Sequence, residues 1–346
     1  MHPTSWSRIM TAATLLAVTC LAASAVNYHL ANTYSFGAAP GAREYFDYIT
    51  FDPGSRRLYL SHGTEVLVVN ADTGKEEGKI SGLKLSHGVA IVPDLGRGFI
   101  SDGAAGKAII FDLSTLKVVG EANAAPDADC ILYDSASHRI FTFNGDSHSA
   151  TAIDPATGKD VGTIDLGGGP EFAVANGQGM IYNNLEDKSE VLAIDSGSLQ
   201  VKSRWPIAPA GAPAPIAIDR EHSRLFVAGR QPAMLVVMNA DNGKVIQSFP
   251  ISSGADADVY DPKTGLIFVS TREGWVHIFH EDSSDHYSEA GRVKTEYGAK
   301  TMAYDDKMGR IFVDTAKFGK AQPTKQHPHP RQEPIPGTFH LLVYTR

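Results

Sequence analysis

The chain repeats itself about every forty residues, and no other property limits its fold so tightly. Tyr260-Asp-Pro-Lys-Thr-Gly-Leu-Ile-Phe-Val-Ser270 is the clearest copy. Anchoring each copy on the aromatic residue of its second apolar run gives Tyr59, Phe99, Phe141, Tyr182, Phe226, Phe268 and Phe312, spaced by 40, 42, 41, 44, 42 and 44 residues. A unit of this size, built from short strands, cannot bury both of its faces alone. Copies must stack, and a period near forty predicts a β-propeller, here all-β with seven blades. The copies run from about Tyr45 to the C-terminus and leave no length for a second domain, so 26–346 reads as one unit.

Each copy has the same internal order. In the first, an inner strand (Tyr48-Ile-Thr-Phe) runs into an Asp-Pro turn, followed by a second strand (Leu58-Tyr-Leu-Ser), a third (Val66-Leu-Val-Val-Asn) and a fourth (Glu77-Gly-Lys-Ile). The turns Asn70-Ala-Asp-Thr-Gly-Lys75, Asp154-Pro-Ala-Thr-Gly-Lys159 and Asn239-Ala-Asp-Asn-Gly-Lys244 pair an Asx side chain, which bonds the following backbone, with a glycine for the left-handed position. The third strands are apolar over four or five residues, as expected of strands covered on both faces. Tyr28 to Phe36 matches the outermost strands, and the last copy stops at Leu341-Leu-Val-Tyr344 without one. Residues 28–36 are therefore predicted to complete the last blade and close the ring, which removes an exposed edge.

These residues resemble the YVTN-type, YncE-like β-propeller repeat proteins. The resemblance rests on Asp52-Pro53 with Leu58-Tyr59, on Asp261-Pro262 with Ile267-Phe268, and on the Asp-x-x-Thr-Gly-Lys turns. It covers nearly the whole chain after the N-terminal segment. The Tyr-Val-Thr-Asn string itself does not occur intact; Phe268-Val-Ser-Thr and Phe312-Val-Asp-Thr stand nearest to it. The resemblance implies an often exported propeller and carries over no catalytic residue.

Residues 1–25 differ in kind. Arg8 is their one charged side chain, Ile9 to Ala23 is a short apolar run, and Ala23-Ser24-Ala25 offers small residues for a signal peptidase. A secretory signal is expected, cleaved after Ala25, leaving a periplasmic or secreted monomer with no stable membrane span. Cys130 would then be the sole cysteine, in an apolar strand, so no internal disulfide is possible and the thiol is expected to be buried. The formal charge of −8 argues against a nucleic-acid partner, since phosphate binding needs a basic face.

Two stretches depart from the repeat. Residues 317–336 form a polar insert in the last copy with five prolines, expected to make no ladder and to stay mobile; His327 and His329 within it are a weak metal pair. The second departure is a set of polar residues at equivalent places, Asp47, His87, Asp129, Glu171, Asp256 and Lys300, with Ala214 at the fifth. In a propeller these start the inner strands and ring one mouth of the central channel. Asp127 and Asp258 stand near enough to join them. Carboxylates with a histidine suit a divalent cation, with Asp129, Glu171, Asp256 and His87 as candidate ligands, although any wet channel has a polar rim.

The sequence thus points to an exported, non-catalytic propeller that binds a protein or small-molecule ligand at one face or at the channel mouth. The alternative is a lactonase-like, metal-dependent hydrolase with its cation at that mouth. No nucleophile elbow or His-Glu-x-x-His motif occurs, no Cys-x-x-Cys-His marks a haem, and the one cofactor the residues suggest is a divalent cation at the mouth.

Overall fold

A computed structural model describes residues 26–41, 44–320 and 332–346. The backbone forms seven four-stranded antiparallel sheets arranged as the blades of a propeller. Blade 1 runs Phe46–Asp52, Arg57–His62, Glu65–Asn70 and Glu76–Ser81, from the channel outward. The inner strands of blades 2 to 7 are Ser86–Val92, Ala128–Asp134, Pro170–Ala175, Pro213–Asp219, Ala255–Asp261 and Met302–Asp305. Among the described residues no helix is long and apolar enough to cross a membrane.

Ring closure follows the expectation. His29–Ser35 pairs with His340–Thr345 as the outer strand of blade 7, in a register that sets His29 against Thr345 and Ser35 against His340. Its Tyr34 side chain locks onto the hairpin of blade 1. Gly74 there has φ +69, and a Cβ on it would fall 2.2 Å from the Tyr34 ring, so only glycine fits. At the same hairpin, Arg56 and Arg310 both bind Asp72 of blade 1 and Asp305 of blade 7. The Asp305 side chain is wholly buried, and although burial opposes its charge, the two guanidinium groups hold its carboxyl down to about 2.

The core lies between blades. The anchor aromatics Tyr59, Phe99, Phe141, Phe226, Phe268 and Phe312 are fully buried, each packed with the third-strand aliphatics of its own and the adjoining blade. Two polar devices repeat at the interfaces. An arginine two residues before the anchor reaches into the next blade: Arg57 donates to Leu113 O, Arg97 to Pro155 O, Arg139 to Ser196 O and Arg224 to Ser284 O. Two residues after the anchor, a short side chain donates to the carbonyl of the next blade's rim residue. Ser61 bonds His87, Ser101 bonds Asp129, Asn184 bonds Ala214 and Ser270 bonds Lys300. Blade 7 places Asp314 at this seat, fully buried, with Thr301 donating to it at 2.6 Å. Burial pushes its carboxyl up to about 8.

The insert corrects an expectation. Its two arms do form a ladder: Gly319 donates to Glu333 O, Ile335 donates to Lys317 O, and Phe318 bridges Pro334. Proline forbids a donor at its own position but still offers a carbonyl and an apolar ring, and Phe318 supplies an anchor the polar composition hid. Phe318 packs edge-on against Tyr297 at 5.1 Å. The rest of the insert, with His327 and His329, lies outside the described residues, as do residues 1–25 and the expected cleavage site.

Candidate functional site

Every inner strand begins at the same mouth of the channel, so the first side chains of seven strands converge there. Asp47, His87, Asp129, Glu171, Asp256 and Lys300 all reach it, in that order around the ring. Lys300 donates to Asp47 at 3.0 Å and to Asp256 at 2.5 Å. His87 Nδ1 lies 2.8 Å from Asp47 and 3.1 Å from Asp129, and Tyr45 donates its hydroxyl to Asp47. The fifth position, Ala214, is filled by a residue from elsewhere. Arg230, at the end of the second strand of blade 5, donates to Asp256, to Glu186 at 2.8 Å, and lies 3.6 Å from Glu171. Basic and acidic groups thus follow one another around most of the ring.

Electrostatics follow from that order. Burial opposes the charge on His87, but its bonds to Asp129 and Asp47 outweigh burial and hold the imidazolium up to about 10. Burial likewise opposes the charge on Asp47, and Lys300 with His87 reverses the effect and holds its carboxyl well below the usual range. Asp129 and Glu171 shift the other way. Burial raises both, helped at Asp129 by the charges of Asp47 and Asp127 and at Glu171 by those of Asp129, Glu186 and Asp256. Burial also pushes the Cys130 thiol far up.

The candidate cation ligands do not gather as one set. Asp47, His87 and Asp129 lie within 4.8 Å of one another, whereas Glu171 sits on Arg230 and Asp256 is held between Lys300 and Arg230. Asp258 does not join the rim. It takes the place of Ile49, Val89, Ile131, Ile216 and Met302 in other blades, half-buried, with both carboxylate oxygens buried and without a hydrogen-bond partner. Its carboxyl is pushed well up by burial. A second grouping, Asp219, His222 and Glu281, also lies within 4.8 Å, but Tyr260, Tyr287 and backbone amides already satisfy its oxygens.

Arg230 is the functional residue the repeat count passed over. Four residues beyond the anchor the first three blades have Gly63, Gly103 and Gly145, and the next three have Glu186, Arg230 and Arg272. That switch from glycine to charge is visible in an aligned repeat and marks the side of the mouth that is built up.

Above this side lies a pocket of about 550 Å³, floored by Arg230, Asp256 and Lys300 and walled by Arg272, Tyr297 and Phe318. The Arg272 side chain has no hydrogen bond or ion pair among the described residues. Gly298 lets the insert seat here: its φ is +83, and a Cβ would meet the Phe318 ring at 2.1 Å. Next to the pocket, His62 and Glu44 form a buried pair at 2.5 Å, with the imidazole stacked on Phe339. Below the rim the channel is stopped. Tyr48 of blade 1 and Phe172 of blade 4 belong to blades that do not adjoin, yet their rings meet at 4.6 Å, which is possible only across the axis.

The fold and site define a seven-bladed β-propeller with a charged cup, rather than an open pore, at one end of its channel. No protein-family model and no curated protein matches the sequence. Solved structures do resemble it. A chain of a mitotic checkpoint complex aligns over 100% of this chain and 99% of its own with a TM-score of 0.69 and 11% identity. A chain of Kuenenia stuttgartiensis hydrazine synthase aligns over 77% of this chain and 91% of its own, with a TM-score of 0.67 and 15% identity. At such identities the likeness is one of fold.

Proposed function

We propose that this chain is an exported, non-catalytic, YVTN-like propeller that binds a small molecule, or the end of a partner chain, in the cup at the channel mouth. The pocket of about 550 Å³ above a stopped channel carries this reading, because a blind recess whose wall presents Arg272, without an ion pair among the described residues, is a receptacle. Its volume suits a small ligand. Propellers serve widely as binding scaffolds, and the checkpoint-complex chain is one that sits in an assembly. The signal-like segment at residues 1–25 supports export, which mass spectrometry of the mature N-terminus tests; a chain retaining Met1 would overturn it.

The binding test is equilibrium dialysis of the purified protein against a small-molecule extract of the producing cells, read by mass spectrometry. The parent is expected to retain at least one compound that Arg272→Ala and Tyr297→Ala variants release. Equal retention by parent and variants would remove the cup from consideration.

A metal-dependent hydrolase remains the second reading, favoured by the convergence of Asp47, His87 and Asp129. Against it, His87 already acts there as a charged donor to Asp47, which a metal would have to displace. Metal analysis of the purified protein separates the two.

A further inference from the structure

Seven acidic or basic residues line the cup, and six of them are already engaged. Lys300 is held by Asp47 and Asp256, and Arg230 by Asp256 and Glu186. Glu44 pairs with His62 and accepts from the amide of Gly337 at 2.9 Å, and Glu333 also has a partner. Arg272, half-buried, is the one whose side chain has no hydrogen bond or ion pair among the described residues. The charge that the recess leaves uncommitted is therefore positive, and the group it lacks is an anion.

The fold places this arginine firmly. Its amide donates to Gly254 O at 2.9 Å, and its carbonyl accepts from Gly298 N at 2.7 Å. Both glycines have positive φ, +78 and +83. A Cβ on Gly254 would fall 2.7 Å from the Arg272 Cβ, so that glycine lets the arginine stem lie against its loop. Gly298 gives Phe318 its seat in the same way. Tyr297, one residue before Gly298, packs edge-on against Phe318 at 5.1 Å and still has 44% of its surface open. A guanidinium and an uncovered aromatic ring thus occupy neighbouring places on the wall of a concave site.

We propose that the cup takes a monocarboxylate with an aromatic body, its carboxylate on Arg272 and its ring on Tyr297. A guanidinium holds a carboxylate through two parallel N–H donors, and an open tyrosine ring favours an offset or edge-on second ring. The other lining charges choose between anions. Four acids stand against three bases around the recess, so a dianion such as a phosphate monoester is repelled more strongly while finding one free guanidinium. A free aromatic acid and a partner chain that ends in an aromatic residue present the same chemistry. This rests on the cup being the binding site, and names what it binds.

The test is ligand-observed NMR titration of the whole purified protein with phenylacetate as the probe. Phenylacetamide, acetate and phenyl phosphate are parallel arms, joined by a tripeptide ending in phenylalanine and its C-terminal amide. Phenylacetate is expected to bind the parent, with phenylacetamide and acetate weaker by about tenfold or more. Arg272→Gln should weaken phenylacetate by about tenfold, yet melt within about 1 °C of the parent, because its side chain has no partner in the fold to lose. Tyr297→Leu should weaken phenylacetate by about fivefold and leave acetate unchanged. Equal binding of phenylacetamide, or phenylacetate binding that survives Arg272→Gln, overturns the carboxylate assignment. Tighter phenyl phosphate overturns the choice of a monoanion, acetate equal to phenylacetate overturns the aromatic body, and no binding in any arm overturns the class altogether. A tripeptide that binds more tightly than phenylacetate, with its amide silent, supports the proposal with a chain end as the source; the reverse order supports it with a free acid. A compound that dialysis shows to depend on Arg272 but that lacks a carboxylate would overturn this class and leave the cup standing.

Discussion

Single side chains set the charge pattern of the mouth, and two of them give sharp tests. Arg230 is shared by Glu171, Glu186 and Asp256, and removing it leaves three acids facing one another in a partly buried place. Arg230→Met should therefore cost on the order of 3 kcal/mol in chemical denaturation, more than the loss of an exposed ion pair. Arg230→Lys should recover part of it. Asp314 gives a pH test with a definite sign. Its carboxyl is held up to about 8 in the folded chain, against 3.8 ordinarily, so between those values the unfolded chain gives up a proton that the folded chain keeps. Stability falls as pH rises through that window and levels off above it. Asp314→Asn has no proton to lose, so the melting midpoint of the variant minus that of the parent should grow from pH 4 to pH 8. A difference independent of pH would show that Asp314 is ionised in the fold. Arg230 shows in the sequence only when the repeats are aligned four residues beyond the anchor, and Asp314 does not show at all. Asp314 stands in the Phe-Val-Asp-Thr string as an ordinary strand residue, and only the serines at its seat in other blades reveal that a donor belongs there.

At the scale of the element, strands were legible and insertions were not. The period of forty, the apolar third strands and the Asx-Gly turns are local signals, and they located the inner strands and the closing strand to within a residue or two. The insert carries no period, so its composition suggested a solvated loop. What seats it is long-range: Phe318 against Tyr297, in a space that Gly298 leaves open. Gly298→Ala should unseat it, through both the ring clash and the positive φ, with a loss of about 1–2 kcal/mol. Limited proteolysis of that variant is expected to cut within residues 317–336 faster than in the parent, with the blades intact. The closing strand is the opposite case. A chain beginning at Gly37 loses the whole pairing of His29–Ser35 and the Tyr34 contact, and bares the edge of His340–Thr345. Its melting midpoint should drop by far more than an ordinary terminal trim would cause, and an unchanged midpoint would refute the closure.

For the whole molecule the ring has one open end and one stopped axis. The stop is testable through the buried thiol. Cys130 is 4% exposed and lies beside the Tyr48–Phe172 pair, so Phe172→Ala should open a path to it from the cup. An aromatic thiol reagent is expected to label the variant in the native state and to spare the parent. That the rim residues meet followed from the repeat count alone, because equivalent positions in a closed ring must converge. That the channel is blocked did not, since Tyr48 and Phe172 sit in different copies and nothing in either copy names its partner across the axis. The placement of the chain ends has a further effect. The third strand of blade 7 runs from the cup face to the far face, where Arg346 meets the Tyr28 hydroxyl at 3.2 Å. Anything joined after Arg346, whether a tag, a fused module or a surface, therefore hangs from the side away from the cup. A molecule tethered in this way stands with its receptacle facing outward, unobstructed by its own attachment.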